Sequence, residues 1–98
     1  MANVLDKIIE DKKESLKQIK KINSLDSIES TIKSLGNFFN FKEVITNNKR
    51  ASFITEIKKA SPSAGELVKD FNHLNIAKMY IDNGATCLSV LTEEKHFL

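Results

Sequence analysis

Between Ala51 and Leu91 the chain switches from a strand pattern to a helical one and back, and this alternation constrains the fold more than any other feature. Ala51-Ser52-Phe53-Ile54-Thr55-Glu56-Ile57 is aromatic and β-branched with no glycine or proline, which predicts a strand over about 51–57. The stretch from Lys58 to Gly65 carries proline, glycine and two serines, so neither strand nor helix should continue through it. A helix follows over about 73–83, with Ile76, Met79 and Tyr80 turned inward and Gly84 closing it. Thr86-Cys87-Leu88-Ser89-Val90-Leu91 reads as a second strand over about 86–91. Its nearly unbroken apolar character predicts burial on both faces, as in a parallel sheet. Strand, loop, helix, glycine, strand is one βαβ unit.

The chain before it, residues 1–50, has a different period and reads as a helical extension. Leu5, Ile8, Ile9, Leu16, Ile19 and Ile22 recur at helical spacing and form one apolar stripe, with lysines on the opposite face. A second stripe runs through Leu25, Ile28, Ile32 and Leu35, with Ser24 placed to cap its start and Gly36 placed to end it. Phe38, Phe39, Phe41, Val44 and Ile45 cluster in a short third helix opening near Asn37 or Asn40. These helices would cover one side of a βαβ unit but hardly both. The chain therefore resembles the start of a larger α/β protein, and it stops at Leu98 a few residues past a strand.

Composition narrows the partners. Apolar residues are 41% of the 98 and charged residues 29%, which is neither a disordered nor a membrane composition. No apolar run approaches the ~18 residues of a membrane-spanning helix, and the N-terminus has no basic region followed by an apolar core. Fifteen Lys and Arg against thirteen Asp and Glu leave +2, mixed along the chain, so neither nucleic acid nor a membrane surface is indicated as a partner. The single cysteine, Cys87, excludes an internal disulfide and fits a reduced, cytoplasmic setting. Its mid-strand place among apolar neighbours suits a buried, inert thiol.

Chemistry concentrates after the first strand. Glu56 and Lys58 are two residues apart, so they leave the same face of an extended chain, together with Ser52 and Ile54. Phe53, Thr55 and Ile57 leave the other face; if that face packs against helices, the charged pair points into a barrel or crevice. The C-terminal end of a parallel strand is where α/β proteins place ligands, although a solvated Glu–Lys pair would have the same spacing. Ser61-Pro62-Ser63-Ala64-Gly65 follows with hydroxyls and free N–H groups suited to a phosphate or carboxylate, or simply to a βα turn. His73 and His96 lack the spacing of a metal site, so no metal is expected.

Taken together, Phe53-Ile54-Thr55-Glu56-Ile57-Lys58-Lys59-Ala60-Ser61-Pro62-Ser63, Asp70-Phe71, Ile76-Ala77-Lys78-Met79-Tyr80 and the run from Gly84 to Phe97 resemble the N-terminal portion of indole-3-glycerol phosphate synthase. The opening Val4-Leu5-Asp6-Lys7-Ile8-Ile9 is also similar to this family's start. The resemblance implies a (β/α)8 TIM barrel preceded by a helical extension, here over 1–50, with the first βαβ unit over 51–98 and the barrel incomplete. It implies ring closure and decarboxylation of 1-(2-carboxyphenylamino)-1-deoxyribulose 5-phosphate, in tryptophan biosynthesis, without cofactor or metal.

By motif position, Lys58 resembles the lysine that binds the anionic substrate and assists proton transfer, and Glu56 the carboxylate that positions it. Ser61 resembles a phosphate contact. Pro62 and Phe97 resemble walls of the anthranilate pocket, with Ser89 and Leu91 below them. The sequence departs from the family pattern at Ala64, where a lysine is common, and at His96, where an aromatic residue is usual. The family's lysine acid on strand three and glutamate base on strand five fall beyond Leu98, so a truncated synthase is expected, and a non-catalytic or partner-dependent βαβ piece is the alternative. The resemblance also leaves room for fusion to, or association with, another tryptophan-pathway enzyme.

Overall fold

The computed structural model describes residues 3–98, so the first two residues of the helical extension expected over 1–50 lie outside the described residues. The chain divides into two compact units, one ending at Phe38 and the other running from Phe39 to Leu98. No helix among the described residues is long and apolar enough to cross a membrane.

The first unit is two amphipathic helices. Helix α1 (Val4–Ile22) opens on a reciprocal cap: the Asp6 N–H donates to the Asn3 side chain at 2.9 Å, and the Asn3 N–H donates to the Asp6 carboxylate at 3.3 Å. Asp6 in its first turn and Lys20 and Lys21 in its last complement the helix dipole. Helix α2 (Leu25–Ser34) starts where Ser24 accepts the Ser27 N–H at 3.1 Å. It ends at Leu35, whose backbone is extended, one residue before the glycine expected to stop it. Gly36 is not in the left-handed region; among the described glycines only Gly65 and Gly84 are. Neither helix contains a buried residue.

The second unit begins with α3 (Phe41–Thr46), capped by Asn40, whose side chain accepts the Glu43 N–H at 3.0 Å. There follow β1 (Ile54–Ile57), β2 (Ala60–Ser61), β3 (Gly65–Glu66), α4 (His73–Asp82) and β4 (Cys87–Val90). Strands β1 and β4 pair in parallel, with α4 as the crossover packed against β1, so the βαβ unit is present. Asn72 caps α4 by accepting the Asn75 N–H at 3.0 Å, and Gly84, at φ 89°, turns the chain out of it.

Four expectations are corrected. Strand β1 begins at Ile54 rather than near Ala51, because at Phe53 a side chain takes over from the ladder: the Phe53 N–H donates to the Thr86 hydroxyl at 3.0 Å. Strand β4 likewise narrows to Cys87–Val90. The segment after β1 is not irregular. Its ends pair in antiparallel register, Ala60 with Glu66 and Ser61 with Gly65, and the Leu67 N–H donates to the Lys59 carbonyl at 2.8 Å. Gly65, at φ 67°, adopts the left-handed backbone in this small hairpin.

The fourth correction concerns burial. Cys87, Leu88 and Ser89 are half-buried and Val90 is 52% exposed, so β4 is not covered on both faces and Cys87 is not a fully buried thiol. The physical reason is that one strand borders it among the described residues, and its other edge carries no ladder. Among the described residues the buried apolar ones are Ile57 (4% exposed) and Ala60 (2%), at the end of β1 and the start of β2.

Candidate active site

The site is built on the C-terminal ends of the parallel pair. Along β1, Thr55 is half-buried and Ile57 buried, whereas Ile54 and Glu56 on the opposite face are exposed. That alternation is the one expected for a strand with helices behind it, except that Phe53 remains 62% exposed. Lys58 follows on the Glu56 face. Its Nζ lies 3.3 Å from Glu56 Oε1, with the side chains 34% and 44% exposed respectively. At such exposure the pair contributes little to stability, about 0–1 kcal/mol. Its significance is positional, since each charge holds the other at the strand end.

Register adds two residues to this face. Glu56 lies beside Ser89 in the ladder, and register partners in a parallel pair point to the same side. One step further, the Leu91 N–H donates to the Ile57 carbonyl at 3.1 Å, carrying the same alignment past the end of β4 and setting Leu91 beside Lys58. Glu56, Lys58, Ser89 and Leu91 therefore share one face.

Ser61 and Pro62 lie in the hairpin that leaves this end. The Ser61 hydroxyl oxygen accepts the Ala64 N–H at 3.2 Å and lies 3.5 Å from the Ser63 hydroxyl. With its oxygen engaged as acceptor, Ser61 retains a proton to share with Ser63 or with an incoming anion. Phe97 lies in the turn after β4 and is half-buried.

That turn contains the residue sequence reasoning missed. Glu93 accepts three backbone N–H groups: Lys95 at 3.1 Å on Oε1, and His96 at 2.7 Å and Phe97 at 3.2 Å on Oε2. Desolvation is the largest single influence and acts to raise its pKa, but the three backbone donors and the charge of His96 together outweigh it and hold the carboxyl below the usual glutamate range. An acidic residue followed by several backbone donors without strand or helix partners was the available signal.

An apolar groove of about 470 Å³ lies at the other end of the strands, among Phe39, Phe41, Val44, Ile81 and Leu88. Ligands of parallel α/β proteins bind at C-terminal strand ends. The charged end is therefore the candidate site, and the groove is not. No cluster of three metal-ligating side chains forms among the described residues.

The sequence profile of indole-3-glycerol phosphate synthase matches residues 5–98. The chain belongs to the indole-3-glycerol phosphate synthase family. It is 40% identical over 95 residues to the indole-3-glycerol phosphate synthase of Desulforamulus reducens and 42% identical over 95 to that of Alkaliphilus metalliredigens. It is 45% identical over 96 residues to that of Clostridium acetobutylicum. Each alignment covers 97% of this chain and 36% of the relative, so the chain spans about a third of the length of these curated synthases. A synthase-family chain is expected to have a TIM-barrel fold; the described residues form an α/β arrangement with one parallel strand pair and no closed barrel.

Proposed function

We propose that these residues provide the first two barrel strands of an indole-3-glycerol phosphate synthase and, with them, part of its substrate site. The carrying observation is the Glu56–Lys58 pair, 3.3 Å apart at the C-terminal end of β1 and in register with Ser89. The substrate, 1-(2-carboxyphenylamino)-1-deoxyribulose 5-phosphate, carries a carboxylate and a phosphate, so a cation at a strand end suits it. Ring closure places charge on the ribulose carbonyl oxygen, and loss of the carboxylate as carbon dioxide follows. In this reading Lys58 binds the anionic substrate and assists proton transfer at that carbonyl.

Glu56 holds the Lys58 ammonium in place by charge, at 3.3 Å. The Ser61 hydroxyl donates a hydrogen bond to the phosphate. Pro62 and Phe97 flank the anthranilate ring, and Ser89 and Leu91 form the floor below it. No cofactor or metal enters the scheme.

The test places residues 1–98 in a complete synthase, in exchange for the matching segment of the Clostridium acetobutylicum relative, and measures indole fluorescence in a host lacking its own synthase. Activity that requires Lys58 is the expected result. A correctly folded but inactive graft would favour the non-catalytic reading of the βαβ piece.

A further inference from the structure

In the turn that follows β4 a carboxylate accepts the backbone N–H groups. Three successive N–H groups, those of Lys95, His96 and Phe97, converge on Glu93 at 3.1, 2.7 and 3.2 Å. Successive backbone donors of this kind form a concave anion cradle, and here the anion is a side chain of the same chain. Hydrogen bonds to a charged acceptor are typically shorter and stronger than neutral ones, and the His96 contact, at 2.7 Å, has the length of such a bond. The last donor belongs to Phe97, so the carboxylate grips that half-buried residue by its backbone.

We propose that Glu93 is a positioning residue, whose carboxylate fixes the Glu94–Phe97 turn and through it the placement of Phe97. Its bearing on catalysis rests on the reading of Phe97 as a wall of the anthranilate pocket. Glutamate suits the role because both oxygens accept, one for Lys95 and the other for His96 and Phe97. A glutamine of the same shape would turn an NH2 group toward at least one of these donors. The charged neighbours in the turn are Glu94, Lys95 and His96, of which His96 favours the ionised form of Glu93.

The direct test follows the backbone amides of the full 98-residue chain by nuclear magnetic resonance as pH is lowered, beside Glu93→Gln and, as control, Glu94→Gln. The His96 and Phe97 amides should titrate together, with one midpoint below that of an ordinary glutamate. In Glu93→Gln this titration should vanish and His96 amide exchange should quicken about tenfold or more; Glu94→Gln should retain both. Amides that do not titrate, or that behave alike in Glu93→Gln and the parent chain, would overturn the proposal.

A second arm measures kcat/KM in the synthase graft. Glu93→Gln should lower it by about tenfold to a hundredfold, with Glu93→Asp recovering part of the loss. An active graft indifferent to Glu93→Gln would refute the positioning role. A graft inactive even with Glu93 in place, together with the joint amide titration, would instead count against the synthase reading and leave the carboxylate-held turn standing.

Discussion

The Tyr80 hydroxyl donates at 2.9 Å to the backbone carbonyl of Glu56, so α4 is tied to β1 at the residue that carries the strand's carboxylate. Carbonyls along a parallel strand alternate between its two edges. Those of Phe53 and Ile57 accept from β4 and its ends, which leaves the Glu56 carbonyl on the opposite edge, where Tyr80 reaches it. A phenol thus replaces a strand donor at the site.

Removing that hydroxyl alone should show its weight. Tyr80→Phe keeps the ring and deletes the donor, and should lower stability by about 1 kcal/mol. In urea titrations this is a lower midpoint with an unchanged slope. An unaltered midpoint would mean that water satisfies the carbonyl equally well.

In the synthase graft, Lys58→Ala should lower kcat by about 10² to 10⁴-fold, whereas Lys59→Ala should change it little. Lys58 shares the Glu56 face, while the Lys59 carbonyl is engaged by the Leu67 N–H in the hairpin. An interaction made mainly in the transition state is lost from kcat more than from KM. Equal losses from the two lysines would show that the site uses the other face.

Gly84 and Gly36 should respond oppositely to alanine. At φ 89° a Cβ on Gly84 meets no atom within 4 Å, so the penalty is backbone strain alone, about 1–2 kcal/mol. Gly36 has an ordinary φ and open space, so Gly36→Ala should be neutral or slightly stabilising. Thermal midpoints of the two variants separate the cases.

These glycines also show where the sequence was legible. Caps read from single residues held at Ser24, which starts α2, and Gly84, which ends α4, because a cap depends on a few neighbouring backbone groups; for α3 the sequence offered Asn37 or Asn40, and Asn40 is the cap. Gly36 did not act as a stop, since α2 had already turned into extended backbone at Leu35. The face shared by Glu56 and Lys58 was readable from the period of a strand alone. The alignment of Glu56 with Ser89 was not, because a crossover connection sets no register and only the folded pair does. The β2–β3 pairing escaped for a different reason. Its partners span two residues each, too short for a periodic signal, and proline and glycine suggested irregular backbone.

Stability should fall with acid through Glu93. Its carboxyl titrates lower in the folded turn than in the unfolded chain, so its contribution is complete above the unfolded value. That contribution is lost as pH falls through the folded value. Urea midpoints measured from neutral pH downward should therefore decline less steeply in Glu93→Gln than in the parent chain.

Exposed apolar side chains should govern how the 98 residues behave in isolation. Leu16, Ile28, Phe39, Phe53, Leu74 and Val90 all remain exposed, beside a buried apolar set of Ile57 and Ala60. Because the urea slope scales with the surface newly exposed on unfolding, it should be shallow for a chain of this length. The folded chain should also bind a hydrophobic dye. A steep transition without dye binding would show that association covers these side chains.

The β2–β3 pairing has a consequence for the order of folding. Ala60 and Glu66 are near neighbours in sequence, so little chain entropy is lost in closing their turn, whereas β1 must wait for the whole of α4 before meeting β4. The hairpin around Ser61 and Pro62 is thus a local event and the strand pair a distant one. During synthesis the loop that carries Ser61 can take its shape before the sheet that will hold it exists, and a substitution such as Gly65→Val should slow folding through that early step more than it speeds unfolding.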